Sequence, residues 1–180
     1  MDLPLMDRTE NISWSDILST LHNSVRKAVR NADREEIGSK NAKGDDVKCF
    51  DLVANDTALA VLRKLPLPVV VDSEESGCEK IGSDTPRHRL ILDPVDGSDN
   101  WARGLPLSAL SCAVLPIDLS LHPDWVEAAL VGPLEQDTPL IALKGCGAWR
   151  GKDRLETSKV QNITEAMISV ELNHYSPSPG

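Results

Sequence analysis

The sequence predicts a layered α/β or α+β domain, and three observations carry that prediction. Apolar residues at three- and four-residue spacing, the helical period, run through the first third of the chain. After Pro68 they give way to short continuous apolar runs of strand length. Helices first and then mostly strands is the order of a layered domain. At 180 residues, 41% of them hydrophobic, the chain fits one domain with a sizeable core.

Residues 14–30 read as an amphipathic helix, with Trp14, Ile17, Leu18, Leu21, Val25, Ala28 and Val29 on one face. Ser13 with Asp16 gives a capping-box-like start, the shorter Asp standing for Glu or Gln. Asn41 to Asp46 is a polar turn around Gly44. A second helix is expected from about Asp51 to Leu65, with Val53, Leu59, Leu62 and Leu65 among its apolar positions. Pro66 and Pro68 end it. Val69-Val70-Val71 and Leu90-Ile91-Leu92 suit strands buried on both faces of a sheet, and acidic residues follow each. Leu110–Leu115, Trp125–Val131 and Leu140–Leu143 are further strands, with a Gly-Cys-Gly turn at 145–147 and a last strand at Ile168-Ser169-Val170. Ser176 to Gly180 closes the chain as a loose tail, leaving 1–175 as the domain.

Composition narrows the function. Twenty-eight acidic residues against 19 Lys plus Arg give a formal net charge of −9, which excludes a nucleic-acid binder. No apolar run reaches the ~18 residues of a membrane span, and no basic-then-apolar leader opens the chain. A soluble, cytoplasmic protein is expected. With four Trp, one Tyr and one Phe, the core must be mainly aliphatic. Cys49, Cys78, Cys112 and Cys146 stand too far apart for a thiolate metal site, and read as free, buried or half-buried thiols. The four histidines are scattered and receive no role.

Two segments carry chemistry: Val69-Val70-Val71-Asp72-Ser73-Glu74-Glu75-Ser76-Gly77 and Leu90-Ile91-Leu92-Asp93-Pro94-Val95-Asp96-Gly97-Ser98-Asp99-Asn100-Trp101. Each sets carboxylates directly after an apolar run, at a sheet edge where crevices open. If the two strands are neighbours, Glu74, Asp93 and Asp96 converge. Three carboxylates so close need a cation between them. Oxygen-only ligands select Mg²⁺ or Mn²⁺ before Zn²⁺. Pro94 stiffens the turn, Gly97 lets backbone approach a ligand, and a short helix starting at Ser98 would aim amides at an anion. The plainer reading of Ser73-Glu74-Glu75 alone is a solvated loop. Metal beside an amide-lined anion pocket is the apparatus of phosphate ester hydrolysis.

Asp93-Pro94-Val95-Asp96-Gly97-Ser98-Asp99-Asn100-Trp101, with Gly104-Leu105-Pro106 after it, resembles the Asp-Pro-(Ile/Val)-Asp-Gly-(Ser/Thr)-x-Asn-(Phe/Trp) signature of the inositol monophosphatase family. Ser73-Glu74-Glu75-Ser76-Gly77 is similar to the family's upstream Glu-Glu motif. Gly44 to Asp51 resembles the run before its second helix, and Lys144-Gly145-Cys146-Gly147-Ala148-Trp149 its hairpin. The likeness is greatest to the archaeal-type branch, which hydrolyses inositol monophosphate and fructose 1,6-bisphosphate. It covers residues 14–172. It implies the N-terminal part of the family's αβαβα sugar-phosphatase sandwich, a homodimer, and a phosphorylated polyol or sugar as substrate.

Carried over residue by residue, the resemblance implies that Glu74, Asp93 and the carbonyl of Val95 hold a first Mg²⁺. Asp93 and Asp96 would hold a second, in a site of two or three ions that also admits Mn²⁺. Asp51 and Ser98 would orient and deprotonate the water that the metal activates, and the amides of Gly97 and Ser98 would cradle the phosphate. From the residues alone, Asp51 is equally an N-cap of the second helix.

Three departures stand out. The family's further metal-binding Asp, in a downstream motif, has no counterpart before Gly180, and neither does its second α/β layer. Asn55 stands where the family usually carries an acidic residue. The first function hypothesis is a Mg²⁺-dependent phosphomonoesterase. The second is a truncated, catalytically inactive remnant that binds metal or a partner. A 3′-phosphoadenosine-phosphate phosphatase ranks below both, because Asp99-Asn100 replaces the usual Lys-Glu pair.

Overall fold

A computed structural model of the chain describes residues 13–33, 36–40 and 46–170, with backbone alone at 36–40 and Asp46. The expected tail at 176–180 and most of the 41–46 turn lie outside these residues.

Helix α1 (Trp14–Val29) forms as its spacing predicts, and Ser13 caps it by accepting the Asp16 amide at 3.2 Å. Leu18, Leu21 and Val25 point inward and are fully buried. A two-stranded ribbon of β1 (Glu36–Lys40) and β2 (Asp46–Lys48) leads into α2 (Cys49–Leu62). This second helix starts two residues earlier than expected and ends three residues earlier. Lys64 and Leu65 are held only by tight i→i+3 bonds to Val61 and Leu62. The cause is Pro66, which drives the residue before it out of helical conformation.

Eight strands then make one sheet: β3 (Val69–Ser73), β4 (Gly77–Ile81), β5 (His88–Asp96), β6 (Ala109–Pro116), β7 (Ala128–Pro133), β8 (Leu140–Leu143), β9 (Gly147–Arg150) and β10 (Asp153–Leu155). Their order is β10-β9-β8-β7-β6-β5-β3-β4, antiparallel throughout except that β3 and β5 run parallel. A short helix, α3 (Ser98–Ala102), interrupts the β5–β6 connection. Pro94 lies inside β5, not in a turn, and the ladder to β6 slips its register between Asp93 and Asp96. Proline lacks an amide to donate, so an irregularity in the ladder is where a strand tolerates it.

The helices α1 and α2 cover one face of this sheet. Leu90 and Leu92 face them and are 0% and 1% exposed, whereas Ile91 between them is 39% exposed. Val131 on β7 is 50% exposed on the same uncovered side. The central strands are therefore not buried on both faces; their continuous apolar runs conceal a one-sided burial. The core is mainly aliphatic, and Phe50, the single Phe, is fully buried in the first turn of α2.

Other differences are local. The region from 125 begins as a 3-10 turn, Pro123–Trp125, and the strand starts only at Ala128. Ile168 to Val170 forms no strand and is exposed. Among the thiols, Cys112 is buried and Cys49 intermediate, but Cys78 and Cys146 are exposed, contrary to expectation; all four are free. Burial alone pushes the Cys112 thiol up to about 12, leaving it inert. His22, given no role above, is fully buried; its ring fills the space over Gly132, where a Cβ would overlap it. Among the described residues, no helix is long and apolar enough to cross a membrane.

Candidate active site

The parallel pairing of β3 with β5 builds one side of the site. Ser73 lies opposite Leu92, and the Glu74 amide continues the ladder to the Leu92 carbonyl at 3.0 Å. Glu74 and Asp93 therefore follow the last paired residues of β3 and β5, which sets the Glu74 carboxyl close enough to act on Asp93. Two ionised carboxylates cannot sit so close without a proton or a cation. Burial first, then the contact with Glu74 and the negative charges of Glu74 and Asp96, pushes Asp93 up to about 7; the Val95 amide opposes them, donating to Asp93 Oδ1 at 3.1 Å.

Helix α2 supplies the other side. Asp51 is not the N-cap of α2, which is Lys48, but sits three residues into the helix. There its Oδ2 accepts the Lys48 amide at 2.9 Å, and its Oδ1 accepts the Ser98 hydroxyl at 2.7 Å. Ser98 Oγ also lies 3.0 Å from the Val95 carbonyl oxygen. Asp51 is 2% exposed. Burial raises its pKa, against the bonds from Ser98 and Lys48 and the Lys48 charge, while the Glu74 charge adds to the rise. A side chain both anchored and held toward neutrality suits a general base.

Gly97 caps α3 in the left-handed region, φ 82°, and a Cβ there would lie 2.6 Å from the Leu107 carbonyl oxygen. Its smallness is thus used against the protein's own backbone, not only for approach to a ligand. Ser108 Oγ donates to the Gly97 carbonyl at 2.9 Å and Asn100 Nδ2 to Leu107 O at 3.0 Å, which closes the loop onto α3. The first amides of α3 have no intrahelical acceptor, as at any helix start. Beside α3 opens a cavity of about 670 Å³ whose lining includes Asp96, Gly97, Asn100, Leu107, Ser108 and Ser169.

The structure thus brings together Glu74 with Asp93 and Asp51 with Ser98, and places Val95 between the pairs. Asp96 is exposed at the strand end, close enough for its charge to act on Asp93. Among the described residues, no three His, Cys, Asp or Glu side chains form a cation cage. The donor chemistry still fits a hard cation at Glu74 and Asp93. Their oxygens are crowded, and among the described residues no sulfur or imidazole donor stands with them.

Sequence reasoning missed three contributors. Lys48 Nζ, in a side chain only 8% exposed, pairs with Asp99 at 2.9 Å and joins α2 to α3. Ser73 and Ser108, each 5% exposed, act through their hydroxyls. For Lys48 the sequence holds no signal, because its partner lies 51 residues away.

A model of the inositol monophosphatase family matches residues 11–178. The chain is similar to a protein named fructose-1,6-bisphosphatase/inositol-1-monophosphatase from Methanothermobacter thermautotrophicus, 29% identical over 91% of this chain and 61% of that relative. It is also similar to a bifunctional NADP phosphatase/NAD kinase from Methanococcus maripaludis, 29% identical over 57% of this chain and 18% of that one. In structure it resembles extragenic suppressor protein suhB from Bartonella henselae, with a TM-score of 0.67 at 23% identity, covering 81% of this chain and 54% of that one. That likeness shows the fold. The chain spans about 61% of the length of the first relative.

Proposed function

The chain belongs to the inositol monophosphatase family, and from that premise we propose that it carries the metal- and phosphate-handling part of a Mg²⁺-dependent phosphomonoesterase. The substrate would be inositol monophosphate, fructose 1,6-bisphosphate or both. The observation that carries this reading is the 2.7 Å bond from Ser98 to Asp51, set beside the Glu74–Asp93 pair.

Because the Ser98 hydroxyl gives its proton to Asp51, lone pairs on Oγ remain to accept a proton from water. As the water proton moves to Ser98 Oγ, the serine proton passes to Asp51 and the water oxygen attacks phosphorus. The phosphorus–oxygen bond to the alcohol breaks, and the leaving alkoxide takes a proton from a solvent water, whose hydroxide is neutralised by the proton that Asp51 then releases. The Gly97 and Ser98 amides hold the phosphoryl oxygens meanwhile. Glu74, Asp93 and the Val95 carbonyl would hold Mg²⁺, with Asp96 serving a second ion, and the ions would offset phosphoryl charge and polarise phosphorus. A homodimer and cytoplasmic residence belong to the same proposal.

One observation favours the second reading, a chain that binds cation or partner without turnover. No three-ligand cage exists among the described residues. Phosphate release from inositol 1-phosphate, fructose 1,6-bisphosphate, NADP and 3′-phosphoadenosine phosphate, with Mg²⁺ or with chelator, separates the two. Release from either of the first two with Mg²⁺ only supports the proposal. Mg²⁺ uptake without release from any of the four favours the second reading, and preference for NADP moves the substrate to a nucleotide 2′-phosphate.

A further inference from the structure

We propose that Asn55 is the positioning residue of the acidic turn, its side-chain oxygen holding Ser73 and Ser76 and so fixing Glu74 between them against Asp93. The inference rests on the proposed metal site and adds to it a residue outside the liganding carboxylates.

Asn55 lies four residues after Asp51, on the same face of α2. Its Oδ1 accepts the Ser73 hydroxyl at 2.7 Å and the Ser76 hydroxyl at 3.3 Å. Asn55 and Ser73 are 4% and 5% exposed, so the first of these bonds is shielded from water. Glu74 and Glu75 are the two residues between the serines. One rigid helix therefore holds both arms of the site: Asp51 ties down Ser98 and α3, and Asn55 ties down the turn that presents Glu74. The separation of the arms is set by one turn of α2.

The residue type matters as well. An amide oxygen accepts two hydroxyls as a carboxylate oxygen does, but adds no negative charge to a region already holding Asp51, Glu74 and Asp93. Where the resemblance expects an acid, this chain keeps the acceptor and drops the charge. The retained function is thus the hydrogen bond, and an acid restored here should serve equally well.

Calorimetric titration of the 180-residue chain with MgCl₂ tests this. Asn55→Leu removes the acceptor while keeping the branched shape and should weaken Mg²⁺ binding by about tenfold or more, the scale of lost outer-shell support. Ser73→Ala removes one hydroxyl without adding bulk and should weaken it less, which covers the case that Asn55→Leu fails to fold. Asn55→Asp restores an acceptor and should bind at least as tightly as wild type. A merely structural role would lower the melting temperature of the folded variants and leave their Mg²⁺ affinity unchanged, and that result overturns the inference. So does an Asn55→Asp chain that loses Mg²⁺ as Asn55→Leu does. A wild-type chain that takes up no Mg²⁺ overturns the metal site itself, and this inference with it.

Discussion

Asp51 divides its two oxygens between two elements. One closes the first turn of α2 on the Lys48 amide, and the other receives the Ser98 hydroxyl. Removing Ser98 separates the two tasks. Ser98→Ala should leave the helix start intact and cost about 1–3 kcal/mol of stability, because the buried Asp51 Oδ1 loses its donor. It should also lower Mg²⁺-dependent phosphate release by about 10²–10⁴-fold, the usual yield of a general base. Steady-state kinetics beside urea unfolding checks both halves. His22 supports a prediction of another kind. Burial lowers its pKa and an Arg26 charge adds to this, against the bond to the Pro133 carbonyl and the Asp137 charge. Its Nε2 meets Pro133 O at 3.0 Å, and Nδ1 has no hydrogen-bond partner among the described residues. The folded chain therefore keeps His22 neutral where the unfolded chain takes up a proton. Stability from this group is full above the unfolded value of 6.5 and declines as pH falls through it, by up to about 1.4 kcal/mol per pH unit until the lower folded pKa is reached. Urea unfolding at several pH values should show a shallower decline in His22→Gln; parallel declines would contradict the assignment.

Elements differ in how openly the sequence announces them. Helix α1 has the full amphipathic stripe and its cap, and was legible to within a residue. Strands β3 and β5 were legible in existence but not in environment. Val-Val-Val and Leu-Ile-Leu read as buried on both sides, yet alternate residues face a sheet surface that α1 and α2 do not cover. An apolar run reports what a strand can bury, not what lies against it. The asymmetry has a direct test in chemical denaturation. Leu90→Ala, at a fully buried position, should cost about 2–5 kcal/mol, and Ile91→Ala next to it about 1 kcal/mol or less. Equal losses would mean that the second face is covered as well. The Asp93–Asp96 irregularity was invisible for a related reason: the motif named its residues, but Pro94 read as a turn because proline does more often mark one.

At the scale of the whole molecule, the separation between legible and hidden is a matter of range. Glu74, Asp93 and Asp96 stand in short contiguous motifs, so a carboxylate cluster is expected from spacing alone, whereas the role of Ser98 is implied by the family resemblance. The parallel register that brings Glu74 to Asp93 was conditional on two strands being neighbours, and the structure makes them so. Lys48 with Asp99, and Asn55 with Ser73 and Ser76, join segments far apart in the chain and only folding reveals them. The eight-stranded sheet gathers these pairs at one end, where the Ser98–Asp51 hydrogen bond and the Glu74–Asp93 carboxyl pair lie beside a helix start. On the proposed function, this end of the sheet hydrolyses a phosphate ester through a cation held by Glu74 and Asp93. Phosphate release from inositol 1-phosphate by wild type and Asp93→Asn, each with Mg²⁺ and with chelator, tests it most directly. The account predicts release by the wild type with Mg²⁺ alone and none by the variant; release that survives Asp93→Asn or chelation would contradict it.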